Sequence, residues 1–286
     1  MANLENPAYI LPCDATEAER LNQQHNLLFR VLGQRLLPSS IPLEKVHSVA
    51  DVGTGTGIWL QSLASQAPQL SPNYDQRYYH GFDIGDAQFP SDSRSEDLEL
   101  KFTTQDVLKP FPRVFRSRFD LVHVRLFSFA LQEVNLKIAM ENLLRILKPG
   151  GYLYWEDTNW TSVKETSGLA EGSAIKEAIF RNMRSRGLSS HIIDIVHRLG
   201  LENGLRCLSK ADYHSDDYPD VNVLGALASP AIEAFLRKLS LNERLTNNSE
   251  EPGELETLFK LHQELNAKGL LRWKETFTTV VYQTPF

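Results

Sequence analysis

Cysteine is nearly absent from this chain. Cys13 and Cys207 stand far apart in 286 positions, so neither a disulfide framework nor a zinc site of paired thiolates is available. Excess positive charge is absent too: 30 lysines and arginines face 36 aspartates and glutamates, a net charge of −6. A nucleic-acid protein needs a basic footprint to displace counterions from phosphates. The one basic stretch, RVFRSRF (113–119), reads as a solvated loop before a strand. No apolar run approaches the ~18 residues of a membrane span. The start, MANLENPAYILPCDATEAER, lacks a basic segment followed by a sustained apolar one, so no signal peptide is expected and the cytoplasm is the default location. His191 and His197 fall on different faces of a helix without further partners, so no metal is expected. What remains is 42% apolar and 23% charged, the balance of a soluble globular protein long enough for a large α/β domain with a helical cap.

Strand and helix patterns alternate along the chain. After Asp14, ATEAERLNQQHNLLFRVLGQRLL reads as a helix, with Glu17 in capping-box position and Leu21, Leu28, Val31 and Leu32 as its apolar stripe. HSVADVG reads as a buried strand, GIWLQSLASQA as a helix, and 68–76 as a loop. RYYHGFDIG, LKFTTQDVL, FDLVHVR and GYLYWED read as further strands, and DAQFPSDSRSEDLE as mostly loop. LKIAMENLLRILKPGG is a helix with Ile138, Leu143, Leu144 and Leu147 as its apolar face, stopped by Pro149-Gly150-Gly151. From Trp160 the pattern turns helical, with CLSKADYHSD as a sixth strand and WKETFTTVVYQTPF as the last. Such alternation implies a mainly parallel sheet covered on both faces, with ligands beyond the carboxyl ends of its strands.

At that position stands VADVGTGTGIWL (49–60). The glycines, Gly53, Gly55 and Gly57, are spaced G-x-G-x-G, whereas a dinucleotide turn needs G-x-G-x-x-G and a phosphate loop needs a following G-K-[ST]. Asp51 precedes the turn and would repel a pyrophosphate, but it attracts a cation. S-adenosylmethionine carries an α-ammonium and a sulfonium, so Asp51, Gly53, Thr54, Gly55 and Gly57 read as its amino-acid cradle. Asp83, ending the next strand, can accept both ribose hydroxyls. Asp106 can accept from the adenine amine, with Ile84 and Val107 against the ring.

The segments VADVGTGTG, GFDIGDAQFP, TQDVLKPFP, FDLVHVR and LLRILKPGGYLYWED resemble the successive motifs of Rossmann-like, S-adenosylmethionine-dependent methyltransferases. YILPCDATEAERLNQQH and FDLVHVR are similar to the fungal secondary-metabolism branch, which includes velvet-complex regulators and dithiol-tailoring enzymes. The resemblance implies a seven-stranded sheet with an antiparallel last strand. It divides the chain into a helical cap (1–45), a cofactor-binding core (46–160), and helical cap insertions with the final strands (161–286). It also implies that the first segment folds over the cofactor, bringing Tyr9, Arg20 and Gln24 to the site.

Methyl transfer from a sulfonium asks the protein mainly to align the nucleophile and exclude water. The [DN]-P-P-[YF] signature used on nucleobase or glutamine amines is missing; the corresponding stretch is HVRLFSF. His123 is either a base and cofactor contact or a histidine bracing the site, and Arg125 pairs with Glu156 or with the cofactor's carboxylate. Phe127, Phe129, Trp155, Asn159 and Trp160 line a substrate pocket or fill the core beneath it. With no acid–base dyad evident, a thiol acceptor asks least of the protein; hydroxyl and amine acceptors stay open. The expected partner is therefore a small natural product, neither nucleic acid nor membrane. A cofactor-binding regulator without turnover is the alternative, and a nicotinamide oxidoreductase is disfavoured by the glycine spacing.

Overall fold

The computed structural model describes residues 15–70, 77–90, 94–95, 98–217, 225–247 and 253–286. Tyr9, Cys13 and Asp14 lie outside them. Helix α1 (Ala15–Val31) precedes β1 (Ser48–Val52), α2 (Ile58–Leu70), β2 (Tyr78–Asp83) and the two-residue β3 (Arg94–Ser95). Then come β4 (Leu98–Thr104), β5 (Phe119–Arg125), α3 (Leu136–Ile146), β6 (Leu147–Glu165), α4 (Ala170–Ser185) and α5 (Ile192–Glu202). The chain continues through β7 (Arg206–His214), α6 (Gly225–Asn247), α7 (Glu254–Ala267) and β8 (Trp273–Gln283).

The strands form one sheet in the order β3-β4-β2-β1-β5-β6-β8-β7. β1, β2, β4, β5 and β6 pair in parallel, and β8 runs antiparallel between β6 and β7, so β7 points with the rest. Apart from the short edge strand β3, this is a Rossmann-like sheet of six parallel strands and one antiparallel. β1 shows why it must be covered twice: all five of its residues are buried, as a strand between parallel neighbours requires. Val52, Val122 and Val124 face the cluster under α3 and α5, whereas Val49 and Leu121 face Trp59 and Leu63 of α2. A separate cluster of Phe129, Trp160, Ile179, Ile232, Phe235 and Trp273 lies under α4, α6 and α7.

Four expectations are corrected. Pro68 lies in the last turn of α2 rather than in a loop. β3 falls within the segment expected as loop. In α3 the buried face is Leu136, Ala139, Met140, Asn142, Leu143 and Ile146, and Ile138 is exposed; the stripe is set by the residues that meet the sheet, one position out of phase with Ile138. Finally, β6 continues to Glu165, past Trp160, where helix was expected. Thr158, Trp160, Thr161 and Val163 suit a pleated surface, and β8 pairs along both halves of the strand, with a shift in register between Asn159 and Lys164. The expected core boundary at residue 160 thus falls inside β6.

Candidate functional site

A cleft opens at the carboxyl ends of β1, β2, β4, β5 and β6. Its wall is completed by α1, α6 and the start of β8. The glycine turn forms one side. The amides of Gly53 and Thr54 donate to the Phe82 carbonyl at 2.8 and 3.0 Å, bending the chain sharply out of β1. Gly53 takes φ +73°, and a Cβ there would overlap the Phe127 ring; Gly55 takes φ +53°, where a Cβ would stand 3.1 Å from Leu21. Both positions need glycine, because side chains are strained at such φ. Gly57 also has positive φ, but it faces Phe102 and does not line the cleft.

Asp83 joins this turn to the end of β2. Its Oδ2 accepts from the Gly55 amide and its Oδ1 from the Ile84 amide, each at 2.7 Å. Burial pushes this carboxyl above the usual range, against the hydrogen bonds that hold it down. Each oxygen keeps a lone pair for a ligand hydroxyl. Asp106, Ile84 and Val107 line the same end, and Asp106 Oδ1 accepts from the Leu108 amide at 2.9 Å.

Beneath the turn lies a buried charge network. His123 Nδ1 is 2.7 Å from Asp51 Oδ1, and its Nε2 is 3.0 Å from Glu156 Oε2. A neutral imidazole can donate from only one nitrogen, so two carboxylate partners favour the imidazolium. Burial opposes that charge, yet the bonds to Asp51 and Glu156 win and raise the His123 pKa. The ring also stacks on Trp59, and the Tyr154 hydroxyl donates to Glu156. His123 is therefore a brace; it does not line the cleft. Asp51 reaches the cleft while accepting from His123 and, at 2.7 Å, from the Thr54 hydroxyl.

Helix α1 closes the cleft from above. The Thr56 hydroxyl donates to Asn22 at 2.7 Å, and His25 Nε2 lies 2.9 Å from Ser62 of α2. Arg125, expected on Glu156, instead directs its guanidinium to His25 Nδ1 at 3.3 Å, since both Glu156 oxygens are already engaged. Burial and the nearby Arg125 charge push His25 down to about 3, so it accepts from Arg125 through Nδ1 and donates to Ser62 through Nε2. Arg20, held by Glu17 at 2.6 and 2.8 Å, and Gln24 line the cleft. Arg20 Nη1 is buried without a partner among the described residues.

At the far end, Phe127, Phe129 and Trp160 line the cleft. Trp155 instead packs edge-on beneath Phe127, and Asn159 accepts from the Thr161 hydroxyl at 2.6 Å, so neither lines it. Leu126, at φ +59°, is a left-handed non-glycine bend between Arg125 and Phe127, and such strain gathers where side chains must be aimed. Sequence reasoning missed two carboxyls here. Asp157 accepts from the Phe127 amide at 2.8 Å, the Thr158 amide at 3.0 Å and the Ser128 hydroxyl; burial lifts it to about 7. Glu275 of β8, 4% exposed, is lifted by burial to about 8, and its Oε1 has no hydrogen-bond partner among the described residues. Asp157 follows directly on the aromatic strand run, a local signal. Glu275 carries none.

No cluster of three or more His, Cys, Asp or Glu side chains suited to a metal occurs among the described residues, and no described helix is long and apolar enough to cross a membrane. A glycine turn after β1, acidic residues ending β2 and β4, and an antiparallel β8 define the Rossmann-like class that holds a nucleoside-bearing cofactor. Residues 21–208 match the family described as methyltransferase domain, and the chain belongs to that family. Methyltransferase grgD of a Penicillium species is 32% identical over 185 residues, 64% of this chain and 64% of that protein. N-methyltransferase tcpN of Claviceps purpurea (strain 20.1) is 31% identical over 153 residues, 52% of either chain. The matches span less than two thirds of these relatives' lengths. Among solved structures, a chain from the complex that contains the Haloferax volcanii Trm112 methyltransferase activator has a TM-score of 0.50 at 16% identity, covering 96% of each chain; the likeness is one of fold.

Proposed function

We propose that the protein transfers a methyl group from S-adenosylmethionine to a small-molecule acceptor of fungal secondary metabolism. The observation that carries this reading is Asp83, a carboxylate at the end of β2 bonded to the Gly55 amide and open to the cleft. There it would hold the ribose hydroxyls. Asp106, Ile84 and Val107 would hold the adenine, and the turn from Gly53 to Gly55 would pass close to the amino-acid portion. The unpartnered Arg20 Nη1 suits that portion's carboxylate, and Asp51, which also lines the cleft, would face its cationic side. The cofactor, when bound, supplies a methyl group whose sulfonium is already a good leaving group.

The chain's own contribution is position and dryness. Helix α1 is tied to the glycine turn through Asn22 and to α2 through His25, so it shields the site from water. His123 keeps Asp51 oriented. Phe127 and Phe129, on the turn after β5, direct an acceptor toward the cofactor. The reported fungal relatives are named methyltransferase and N-methyltransferase, and the missing [DN]-P-P-[YF] signature argues against nucleobases. The expectation of a thiol rested on the lack of a buried acid–base group, and Glu275 and Asp157 remove that ground.

Calorimetry with S-adenosylmethionine, followed by mass spectrometry of products from a panel of amines, phenols and thiols, tests this reading. Binding and release of S-adenosylhomocysteine are expected. Binding without turnover on any acceptor would favour the regulatory alternative, and preference for NAD would overturn the cofactor assignment.

A further inference from the structure

We infer that Glu275 is the acceptor-binding residue, receiving a proton from a primary or secondary amine held in an aromatic pocket at the β6–β8 end of the cleft. This inference rests on the methyltransferase reading and names the substrate class for it.

Sheet order separates the two halves of the site. Asp106, Asp83 and Asp51 end β4, β2 and β1, whereas Asp157 and Glu275 belong to β6 and β8, on the other side of β5. The cleft's lining cations are Arg20 on α1 and Arg125 on β5; neither β6, β8 nor α6 contributes one among the described lining residues. The acceptor half is thus acidic, with Phe129, Trp160 and Phe277 as apolar walls.

The two carboxyls differ in what they can still do. Asp157 is engaged by the Phe127 amide, the Ser128 hydroxyl and the Thr158 amide, so it anchors the turn that carries the phenylalanines. Glu275 is hydrogen-bonded by the Thr158 side chain and the Ala228 backbone, yet keeps Oε1 unpaired while 4% exposed. A buried acceptor left without a donor destabilises a fold, and a ligand N–H in the cleft is the donor that would satisfy it. The pocket's aromatic faces also favour a cation. Above pH 8, where both carboxyls are ionised, a thiolate would be repelled by them. An aliphatic hydroxyl would gain neither the ion pair nor the aromatic contact.

The proton step balances simply. An ammonium N–H bond breaks as an O–H bond forms on Glu275, and the electron pair stays on nitrogen, neutralising both groups. That lone pair is then free to accept a methyl group. Burial lifts Glu275 to about 8, so it is free to take this proton above that pH and keeps its own below it.

The test uses three isosteric probes, phenethylamine, 2-phenylethanol and 2-phenylethanethiol, titrated at pH 9, where Glu275 is ionised, into the full chain and into Glu275→Gln. The wild type should bind the amine about 10–150-fold more tightly than the other two, the worth of a hydrogen bond to a charged group. The variant should lose that preference, yet bind S-adenosylhomocysteine as the wild type does. Equal binding of the three probes by the wild type overturns the inference whatever the variant does. So does an unchanged amine preference in Glu275→Gln, or loss of S-adenosylhomocysteine binding in a variant that melts normally. A wild type that prefers the amine through Glu275 but binds no S-adenosylhomocysteine would instead overturn the methyltransferase reading.

Discussion

Asp83 accepts the Gly55 amide across 2.7 Å, so the glycine turn after β1 and the end of β2 act as one unit. Replacing Asp83 with alanine removes the carboxylate assigned to the ribose. Affinity for S-adenosylmethionine should fall by about 10–150-fold, the worth of one charge-assisted hydrogen bond at roughly 1.5–3 kcal/mol. Calorimetry measures it, with a melting curve to show that the fold survives. A change below about threefold would place the ribose elsewhere.

Gly53→Ala tests the turn itself. The new methyl would overlap the Phe127 ring at φ +73°. The left-handed conformation alone costs about 1–2 kcal/mol outside glycine, and the overlap adds to it. Denaturant titration should show a loss above that range. Pairing the change with Phe127→Leu should recover the part due to the ring and leave the backbone part.

His123→Leu would leave Asp51 and Glu156 buried without their shared cation. Breaking such a pair destabilises by roughly 3–5 kcal/mol. The folded state raises the His123 pKa above 6.5, so its contribution is fully present below that value and is lost as pH rises through the folded-state pKa. The deficit of the variant should therefore be largest near pH 6 and narrow on the alkaline side. Urea unfolding at a series of pH values would show it; a deficit that widens with pH would contradict the bridged imidazolium.

Glu275→Gln should stabilise the protein without ligand. Its carboxyl titrates near 4.5 when unfolded and is pushed to about 8 when folded. Between those values the folded state holds a proton that the unfolded chain has released, so stability falls as pH rises. Glutamine removes that loss. At pH 8 the variant should be more stable by over about 1 kcal/mol, while near pH 4.5 the difference should vanish. Thermal melts at both pH values decide it.

The half of the cleft proposed for the cofactor is lined by residues that the sequence brings together, because they are local: Asp51, Gly53 and Gly55 share one turn, and Asp83 and Asp106 each follow a readable strand. The half proposed for the acceptor was not legible. Glu275 stands 118 positions after Asp157 in the numbering, and only the antiparallel pairing of β8 with β6 brings them to one wall. Within WKETFTTVVYQ it looks like any acidic residue on a strand. The role of His123 was hidden for a related reason. Its partners, Asp51 and Glu156, are both visible in the sequence, but only the order β1-β5-β6 sets the histidine between them. The extension of β6 did have a signal, the β-branched and aromatic run after Asp157, which a helix-rich reading of the following segment obscured.

β6 spans Leu147–Glu165 with β8 alongside both of its halves, and the family match ends at residue 208, well before β8. Swapping acceptor preference between relatives by splicing at a core–cap border near residue 160 would therefore sever a load-sharing strand pair and yield misfolded chimeras. A working graft must carry β8 along with the insertions, so a swap of acceptor preference has to reach a segment beyond the domain match.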